Sequence, residues 1–319
     1  VPKYRIEQSK ARELLGFHSF RAKKVFERTG IDYRYSYVNP ERFAAQPSWQ
    51  ELCEEYHKGA VEMGVKAAKD ALDGADASDI GCIVFASVTG YTCPSLSYEI
   101  AGRLGLRKDI VHTNILGQGC QAAVPAVERA FDYVKAHPDK RALTLSVEVC
   151  SATWYPAGDD DLEFLISAAI FGDGASAAII GSSEQNGCPE ALDFESYYHP
   201  LYLGLLGYKW EQGRMKVVLS RDVPKVVPPL MKAVVDKLLS RNKLTREDIS
   251  QWILHPGGKL VLENLEKELG LTRKQTHWSW EIMRLYGNMS SATIGAIAKH
   301  VQKHERPTGY GVAATMGAG

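Results

Sequence analysis

A cysteine, a histidine and an asparagine in this chain each stand beside a glycine-containing turn, and together these residue types can carry out acyl transfer. The string Gly117-Gln-Gly-Cys120 lies between a predicted strand at 110–116 and a predicted helix at 121–136. Backbone N–H groups and the positive end of the helix dipole would stabilise a thiolate on Cys120. The same position also suits an unreactive buried cysteine, a common use of free cysteine. Position alone leaves both roles open.

His255 ends an apolar predicted strand and is followed by Pro-Gly-Gly, so its ring lies beside a loop that can approach a ligand closely. Asn288 lies in the small-residue turn Tyr286-Gly-Asn-Met-Ser-Ser-Ala292, just before a predicted helix. Its amide could donate to a developing oxyanion. Asn288, Ser290 or Ser291 would also serve as the N-cap of that helix. Taken alone, Asn288 fits the cap better than the catalytic role.

The elements that must position these residues alternate between strands and helices. Such alternation predicts an α/β fold whose sheets are largely buried. The predicted strands cover 81–87, 110–116, 141–150, 175–181, 216–220, 251–255 and 309–315. The predicted helices cover 6–25, 49–72, 98–106, 121–136, 223–239, 259–269 and 291–304.

The composition is that of an ordinary globular protein. Of 319 residues, 45% are hydrophobic and 24% are charged, which excludes disordered and fibrous classes. Lys plus Arg equal Asp plus Glu at 38 each, so no net charge favours nucleic acid or an acidic membrane as a partner. The six cysteines form no zinc-type spacing, so we expect no metal and a reduced, cytoplasmic setting. The sequence shows no signal peptide and no apolar stretch of the roughly 20 residues that span a membrane.

Four strings in the chain belong together when they are compared with known families. They are Gly117-Gln-Gly-Cys120, Phe171-Gly-Asp-Gly-Ala175, His255-Pro-Gly-Gly258 and Tyr286-Gly-Asn-Met-Ser-Ser-Ala292. In order and spacing they resemble the chalcone and stilbene synthase family, the type III polyketide synthases. The resemblance covers nearly the whole chain. By contrast, Arg28-Thr-Gly-Ile31 looks more like the carrier-protein-dependent synthase III relatives, which share the fold.

The resemblance implies an α/β, thiolase-like αβαβα fold of two similar halves, which we place at 1–183 and 184–319. It also implies a homodimer that acts on acyl-CoA and malonyl-CoA without a cofactor. Cys120 would take an acyl group from a starter thioester while His255 accepts its proton. His255 and Asn288 would then donate to the malonyl carbonyl and stabilise the enolate left when carbon dioxide departs. Attack of this carbanion on the acyl group would give a polyketide that cyclises to a pyrone or aromatic product.

The resemblance also implies which residues line the acyl cavity. These residues are Phe171, Ser290, Thr153, Cys150, Val217 and Thr89. Phe171 corresponds to a gatekeeper between the cavity and the pantetheine tunnel, although a core aromatic beside a glycine turn is an equal alternative. Val217 stands where a second gatekeeper phenylalanine is expected, and this smaller side chain predicts a wider route into the pocket. Thr89 lies in the loop that would face the other subunit, which would bring Cys93 near that subunit's cavity.

Other positions depart from the family pattern. Cys150 replaces an expected threonine, and Thr315-Met-Gly-Ala-Gly319 replaces a Gly-Phe-Gly-Pro-Gly loop, so the product cannot be carried over from the family. A basic entrance for coenzyme A or a carrier protein would be formed by Arg21, Lys24, Arg28 and Arg34, although such a cluster can also be an ordinary solvated face. We also expect that a core strand before Val1 and another after Gly319 belong to the natural protein.

Two other functions remain open at this point. The first is a stand-alone ketosynthase that condenses chains delivered by acyl carrier protein. The second is a catalytically silent thiolase-fold partner that binds an acyl chain, against which stands the presence of the cysteine, the histidine and the asparagine. Non-decarboxylative relatives would need an added acid near Cys120, and the four strings offer no candidate.

Overall fold

The computed structural model describes residues 1–73, 76–155, 161–182, 188–211, 213–305 and 308–319. The strands are β1 (Tyr4–Glu7), β2 (Tyr33–Ser36), β3 (Ile80–Ala86), β4 (Val111–Ile115), β5 (Arg141–Glu148), β6 (Gly174–Ile180), β7 (Leu206–Glu211), β8 (Arg214–Leu219), β9 (Ile249–Leu254) and β10 (Tyr310–Ala314). The helices are α1 (Gln8–Leu14), α2 (Phe20–Glu27), α3 (Trp49–Ala71), α4 (Leu96–Leu104), α5 (Ala123–Ala136), α6 (Leu162–Ile170), α7 (Val223–Arg241), α8 (Lys259–Leu269), α9 (His277–Tyr286) and α10 (Ala292–Glu305).

A four-stranded sheet in the order β4-β3-β5-β6 forms the centre of the first half. Strand β3 pairs in parallel with β4 and β5, and β6 runs antiparallel to β5. Every residue of β3 is buried, as expected for an apolar strand covered on both faces. Successive side chains point to opposite faces, so Ile83 and Phe85 belong to one core cluster while Cys82 and Val84 pack in a second cluster with residues of α5. This two-sided packing fixes the strand ends where the candidate site forms.

The second half contains two smaller sheets within the described residues. Strands β9 and β10 pair in parallel, and β7 and β8 form an antiparallel hairpin. Helices α9 and α10 pack against β9, and α7 packs against α8. The N–H of His255 donates to the carbonyl of Ala314 at 2.9 Å, which extends the β9–β10 pairing by one residue.

The observed elements confirm the predicted α/β alternation, with four differences. The predicted helix at 6–25 is observed as two helices, α1 and α2, which are separated at Gly16, whose φ is +76°, and its first two residues belong instead to β1, which pairs with β2. Strands β2 and β7 and helix α9 were not predicted. The expected division between the halves, at 183–184, lies outside the described residues and stays a prediction.

Candidate active site

Cys120 lies in a tight turn between β4 and α5, as predicted. Gly117 and Gly119 have φ values of +73° and +62°, a conformation that glycine adopts without steric cost. A 3-10 turn over Gly119–Gln121 then leads into α5. Cys120 is 7% exposed. The two glycines therefore direct the cysteine into the protein interior at the start of a helix.

The thiol of Cys120 interacts with the side chains of Ser290 and Asn288. Burial is the largest of the causes that raise the pKa of this thiol to about 12, and the nearby carboxyl of Glu148 acts in the same direction. The interactions with Ser290 and Asn288 act in the opposite direction but are outweighed. Burial therefore outweighs the benefit of the helix end in the free protein. Cys120 carries its proton until a base removes it.

His255 follows the last residue of β9 and is fully buried. Neither ring nitrogen has a hydrogen-bond partner in the described part of the chain. Burial lowers the pKa of His255 to about 4, so its ring is neutral near pH 7. A neutral imidazole can accept a proton on one nitrogen and donate a hydrogen bond from the other. Buried polar groups without partners are rare and mark a site that a ligand completes.

The two ends of the Asn288 amide have different partners. The N–H of Ser290 donates to Oδ1 of Asn288 at 2.8 Å, which caps the turn before α10. The Nδ2 group at the other end of the amide lies 3.4 Å from the carbonyl oxygen of Gly257, in the loop after His255, and interacts with the thiol of Cys120. Because Oδ1 is held by a backbone donor, Nδ2 is directed at the site. One amide thus connects the cysteine turn to the histidine loop.

Phe171 and Asn288 are held together by their backbones. The N–H of Asn288 donates to the carbonyl of Ile170 at 2.8 Å, and the N–H of Gly172 donates to the carbonyl of Asn288 at 2.9 Å. These bonds form an isolated parallel bridge between Phe171 and Asn288. The predicted gatekeeper position is therefore fixed relative to the amide donor.

A buried carboxyl, Glu148, connects several of the predicted cavity residues. Its Oε2 accepts from the N–H and Oγ1 of Thr89 at 3.2 and 2.9 Å and from the N–H of Val88 at 3.1 Å. Its Oε1 accepts from the hydroxyls of Ser290, at 3.3 Å, and Ser291. Ser290 also has a left-handed backbone with φ of +50°, a conformation that is uncommon for residues other than glycine. Thr89 and Ser290 are thus positioned by one acid.

Sequence reasoning missed Glu148, because this residue lies outside the four strings. Its buried carboxyl is nevertheless close enough to Cys120 to act on the thiol electrostatically. Its signal was available: it is the one acidic residue in the apolar predicted strand at 141–150. A carboxyl buried in a strand requires several hydrogen-bond donors around it. The strand itself was predicted correctly, since the seven residues before Glu148, 141–147, all belong to β5. Burial raises the pKa of Glu148, while its hydrogen bonds lower it.

The other predicted cavity residues lie around the turn that follows β5. Cys150 is buried, and burial raises the pKa of its thiol. The hydroxyl of Thr153 donates to the carbonyl of Cys150 at 2.8 Å. Val217 is buried on β8, and β8 contacts the 3-10 turn formed by Cys150–Thr153. Their contacts with substrate stay predictions.

One member of the predicted basic entrance is misplaced. Arg34 is fully buried, and its guanidinium donates to the carbonyls of Phe171 at 3.1 Å and Ala169 at 2.8 Å, and to the carbonyl of Ala168 and the side chain of Gln8. These carbonyls lie at the end of α6, where the helix dipole favours a positive charge. Arg34 is therefore wrong as an entrance residue and instead closes that helix.

The remaining members of the patch, Arg21, Lys24 and Arg28, are exposed on and just after α2. Their role in binding stays a prediction. In the described ranges, no helix has the length and apolar character needed to cross a bilayer. Within the same ranges, no three His, Cys, Asp or Glu side chains come together as a metal site.

Comparison with known proteins gives the family. Residues 24–184 match the N-terminal domain of the chalcone and stilbene synthases, and residues 205–318 match the C-terminal domain. The chain is 31% identical over 323 residues to 3,5-dihydroxyphenylacetyl-CoA synthase of Amycolatopsis orientalis, covering 98% of this chain and 86% of that protein. It is 29% identical over 334 residues to 1,3,6,8-tetrahydroxynaphthalene synthase of Streptomyces peucetius subsp. caesius, covering 100% of this chain and 88% of that protein.

Solved structures agree with these matches. PKS-I from the brown alga Ectocarpus siliculosus superimposes with a TM-score of 0.86 at 27% identity, over 95% of this chain and 87% of that chain. The tetrahydroxynaphthalene synthase of Streptomyces coelicolor A3(2), a bacterial type III polyketide synthase, gives a TM-score of 0.86 at 25% identity, over 95% and 88%. These likenesses confirm the expected thiolase-like α/β fold. The chain belongs to the chalcone and stilbene synthase family, the type III polyketide synthases, which are condensing enzymes of the acyltransferase type.

Proposed function

We propose that this chain extends an acyl starter with malonyl units through a thioester on Cys120. The observation that carries the proposal is the Asn288 amide, which reaches both the thiol of Cys120 and the loop that holds His255. His255 supports it further, because both of its ring nitrogens are buried and unpaired among the described residues. The Asn288 amide thus supports a common site for the cysteine, the base and the oxyanion donor.

In the loading step, the neutral ring of His255 accepts the proton of Cys120 as sulfur attacks the carbonyl carbon of an acyl-CoA. The bond from this carbon to the sulfur of coenzyme A breaks, and the departing thiolate takes the proton from His255. The low pKa of His255 keeps the ring free to act as a base, while the high pKa of Cys120 explains why a base is needed. An acyl-enzyme and free coenzyme A result.

In the condensing step, Nδ2 of Asn288 and the imidazole N–H of His255 donate to the thioester carbonyl of malonyl-CoA. The bond to the carboxylate breaks, carbon dioxide leaves, and the electron pair forms an enolate that both donors stabilise. One such donor typically contributes about 10²- to 10³-fold in rate. The enolate carbon attacks the acyl carbonyl and releases the sulfur of Cys120, and each round extends the chain by one malonyl-derived unit.

Release as an aromatic or pyrone product is part of the proposal. Relatives are named for such products: tetrahydroxynaphthalene in Streptomyces peucetius subsp. caesius and an α-pyrone in Mycobacterium tuberculosis. We also propose coenzyme A rather than a carrier protein as the donor, because a relative whose name contains a CoA thioester, 3,5-dihydroxyphenylacetyl-CoA synthase, matches 98% of this chain.

A homodimer is supported by the free edge of β4. Within the described residues, β4 pairs only with β3 and so presents unpaired backbone groups at its other side. Val111, the first residue of β4, and Leu116, which follows its last residue, are each 48% exposed. A strand edge with exposed apolar side chains is a template for pairing with a second chain. Sedimentation at several concentrations should give a dimer, and Val111→Asp should shift it toward monomer; a monomeric parent protein would refute this part.

Intact-protein mass spectrometry tests the activity. The protein is incubated with acyl-CoA donors, acyl-carrier donors and malonyl-CoA, with Cys120→Ala as the control. We expect an acyl adduct from CoA donors only when Cys120 is present. An adduct from carrier donors alone would instead favour a stand-alone ketosynthase, and no adduct from any donor would favour a silent acyl-binding partner.

A further inference from the structure

Helix α10 carries two histidines one turn apart near its C-terminal end. His300 and His304 are separated by four positions, a spacing that places side chains on the same face of a helix. Their ring centroids lie 5.9 Å apart, with an interplanar angle of 23°. His300 is half-buried and His304 is exposed, so solvent reaches the pair. Two histidines at this spacing on one helix can bind a single metal ion.

The hydrogen bond of His300 leaves one ring nitrogen ready for a metal. Nδ1 of His300 lies 2.8 Å from the carbonyl oxygen of Ala296, one turn earlier in α10. A carbonyl oxygen can only accept, so Nδ1 carries the proton and Nε2 of the neutral ring keeps its lone pair. Metal-binding histidines are held in this way, by donation from the second ring nitrogen to a carboxylate or a backbone carbonyl. His300 therefore has the tautomer that a metal ligand requires.

Trp278 on α9 packs on both imidazole rings. Its ring lies 5.5 Å from that of His300 and 4.9 Å from that of His304, and it is tilted by only 21° from the latter. The indole N–H donates to Oε1 of Glu305 at 2.5 Å, which holds the tryptophan in place. These contacts restrict the two histidines and so reduce the entropy that they lose on binding. Two imidazoles that share an ion at about 2.0–2.1 Å have ring centres about 5 Å apart, so a movement of about 1 Å by His304 is sufficient.

We propose that His300 and His304 form a binding site for a divalent transition-metal ion that prefers imidazole ligands, such as Ni²⁺, Cu²⁺ or Zn²⁺. In the part of the chain that the structure describes, no third His, Cys, Asp or Glu side chain joins the pair, so water completes the coordination. The ion lies near the C-terminal end of α10, where the helix dipole favours a positive charge. The site goes beyond the proposed condensation, since it uses none of the residues assigned to that reaction.

Isothermal titration of the untagged protein with Ni²⁺ tests this site. Ni²⁺ is the probe because, unlike Cu²⁺, it does not oxidise free thiols. We expect saturable binding of one ion per chain. His300→Gln and His304→Gln should each weaken binding at least ~10-fold, since the loss of even an outer partner of a metal ligand costs about 10- to 100-fold. His277→Gln is the matched control, because His277 also packs on Trp278, at 4.9 Å, but belongs to α9; it should change the affinity by less than ~3-fold.

Two further variants locate the ion. Adding Gln302→His to His304→Gln restores the number of histidines but places the second one two positions from His300, on another side of the helix, so the affinity should not return. Bound Ni²⁺ should quench the fluorescence of Trp278, and Trp278→Phe should lose this quenching while it keeps the affinity within ~3-fold. Absence of saturable binding, an equal loss of affinity in His277→Gln, or recovery with Gln302→His would overturn the inference. The titration uses no thioester, so its outcome is independent of whether Cys120 forms an acyl-enzyme.

Discussion

Replacing Asn288 with alanine should separate decarboxylation from loading. The substitution removes Nδ2, the donor that the structure directs at the site, and also Oδ1, the acceptor for the N–H of Ser290. Loss of the donor is expected to slow malonyl decarboxylation about 10²- to 10³-fold, or about 2.7–4 kcal/mol in the barrier. Loss of the acceptor leaves a buried N–H unpaired, which costs about 1–3 kcal/mol of stability.

The two effects are measured separately. Release of labelled carbon dioxide from malonyl-CoA reports decarboxylation, and intact mass reports the rate at which Cys120 is acylated. Loading depends on His255 and Cys120, so we expect it to change less than ~3-fold, far below the effect of a lost oxyanion donor. Asn242→Ala is the matched control: Asn242 also forms side-chain hydrogen bonds, at 2.7 and 2.9 Å, but beyond the end of α7.

Two results would refute this reasoning. A fall in decarboxylation of less than ~3-fold would show that Asn288 is only a helix cap and not an oxyanion donor. An equal fall in loading and decarboxylation would show that the substitution distorts the whole site.

Four further predictions follow from the same geometry. Cys120→Ala should form no acyl adduct but still release carbon dioxide from malonyl-CoA, since the donors to the malonyl carbonyl remain; a variant that makes condensed product would contradict the assignment. Because burial lowers the pKa of His255 from 6.5 to about 4, loading measured by rapid quench should stay constant from about pH 8 to about pH 5 and fall only near pH 4, without an inflection at 6.5. Arg34→Met should lower the free energy of unfolding in denaturant titrations by about 1–3 kcal/mol, because buried carbonyls lose their donor; an unchanged midpoint would be evidence against the helix-closing role. Burial raises the pKa of Asp173 from 3.8 to about 6. The contribution of this raised pKa to stability is therefore fully present below about pH 3.8 and is lost as pH rises through about 6. The thermal midpoint of the parent protein, measured relative to that of Asp173→Asn, should be higher at about pH 4.5 than at about pH 7.5.

The central sheet could be predicted because its residues are buried on both faces. The apolar run predicted at 81–87 is observed as Ile80–Ala86, and the predicted helix at 259–269 is observed without change. By contrast, β2 contains Arg34, whose burial depends on carbonyls of α6 that lie more than 130 residues away in sequence. No local pattern indicates such a partner, so the arginine resembled a surface charge.

The site residues could be identified from their motifs, but their resting charges could not. A helix end and two glycines are local features that favour a thiolate on Cys120. The depth of burial and the carboxyl of Glu148 are tertiary features, and together they reverse that preference.

The backbone bridge between Phe171 and Asn288 makes the position of Asn288 independent of the side chain at position 171. Its hydrogen bonds use only the N–H and carbonyl groups of Ile170, Gly172 and Asn288, so a new side chain at position 171 leaves them in place. If Phe171 lines the acyl cavity as predicted, mutation at position 171 will reshape the cavity while the amide of Asn288 keeps its position. An ancestor with this arrangement could acquire new products one substitution at a time without losing the condensation that makes them.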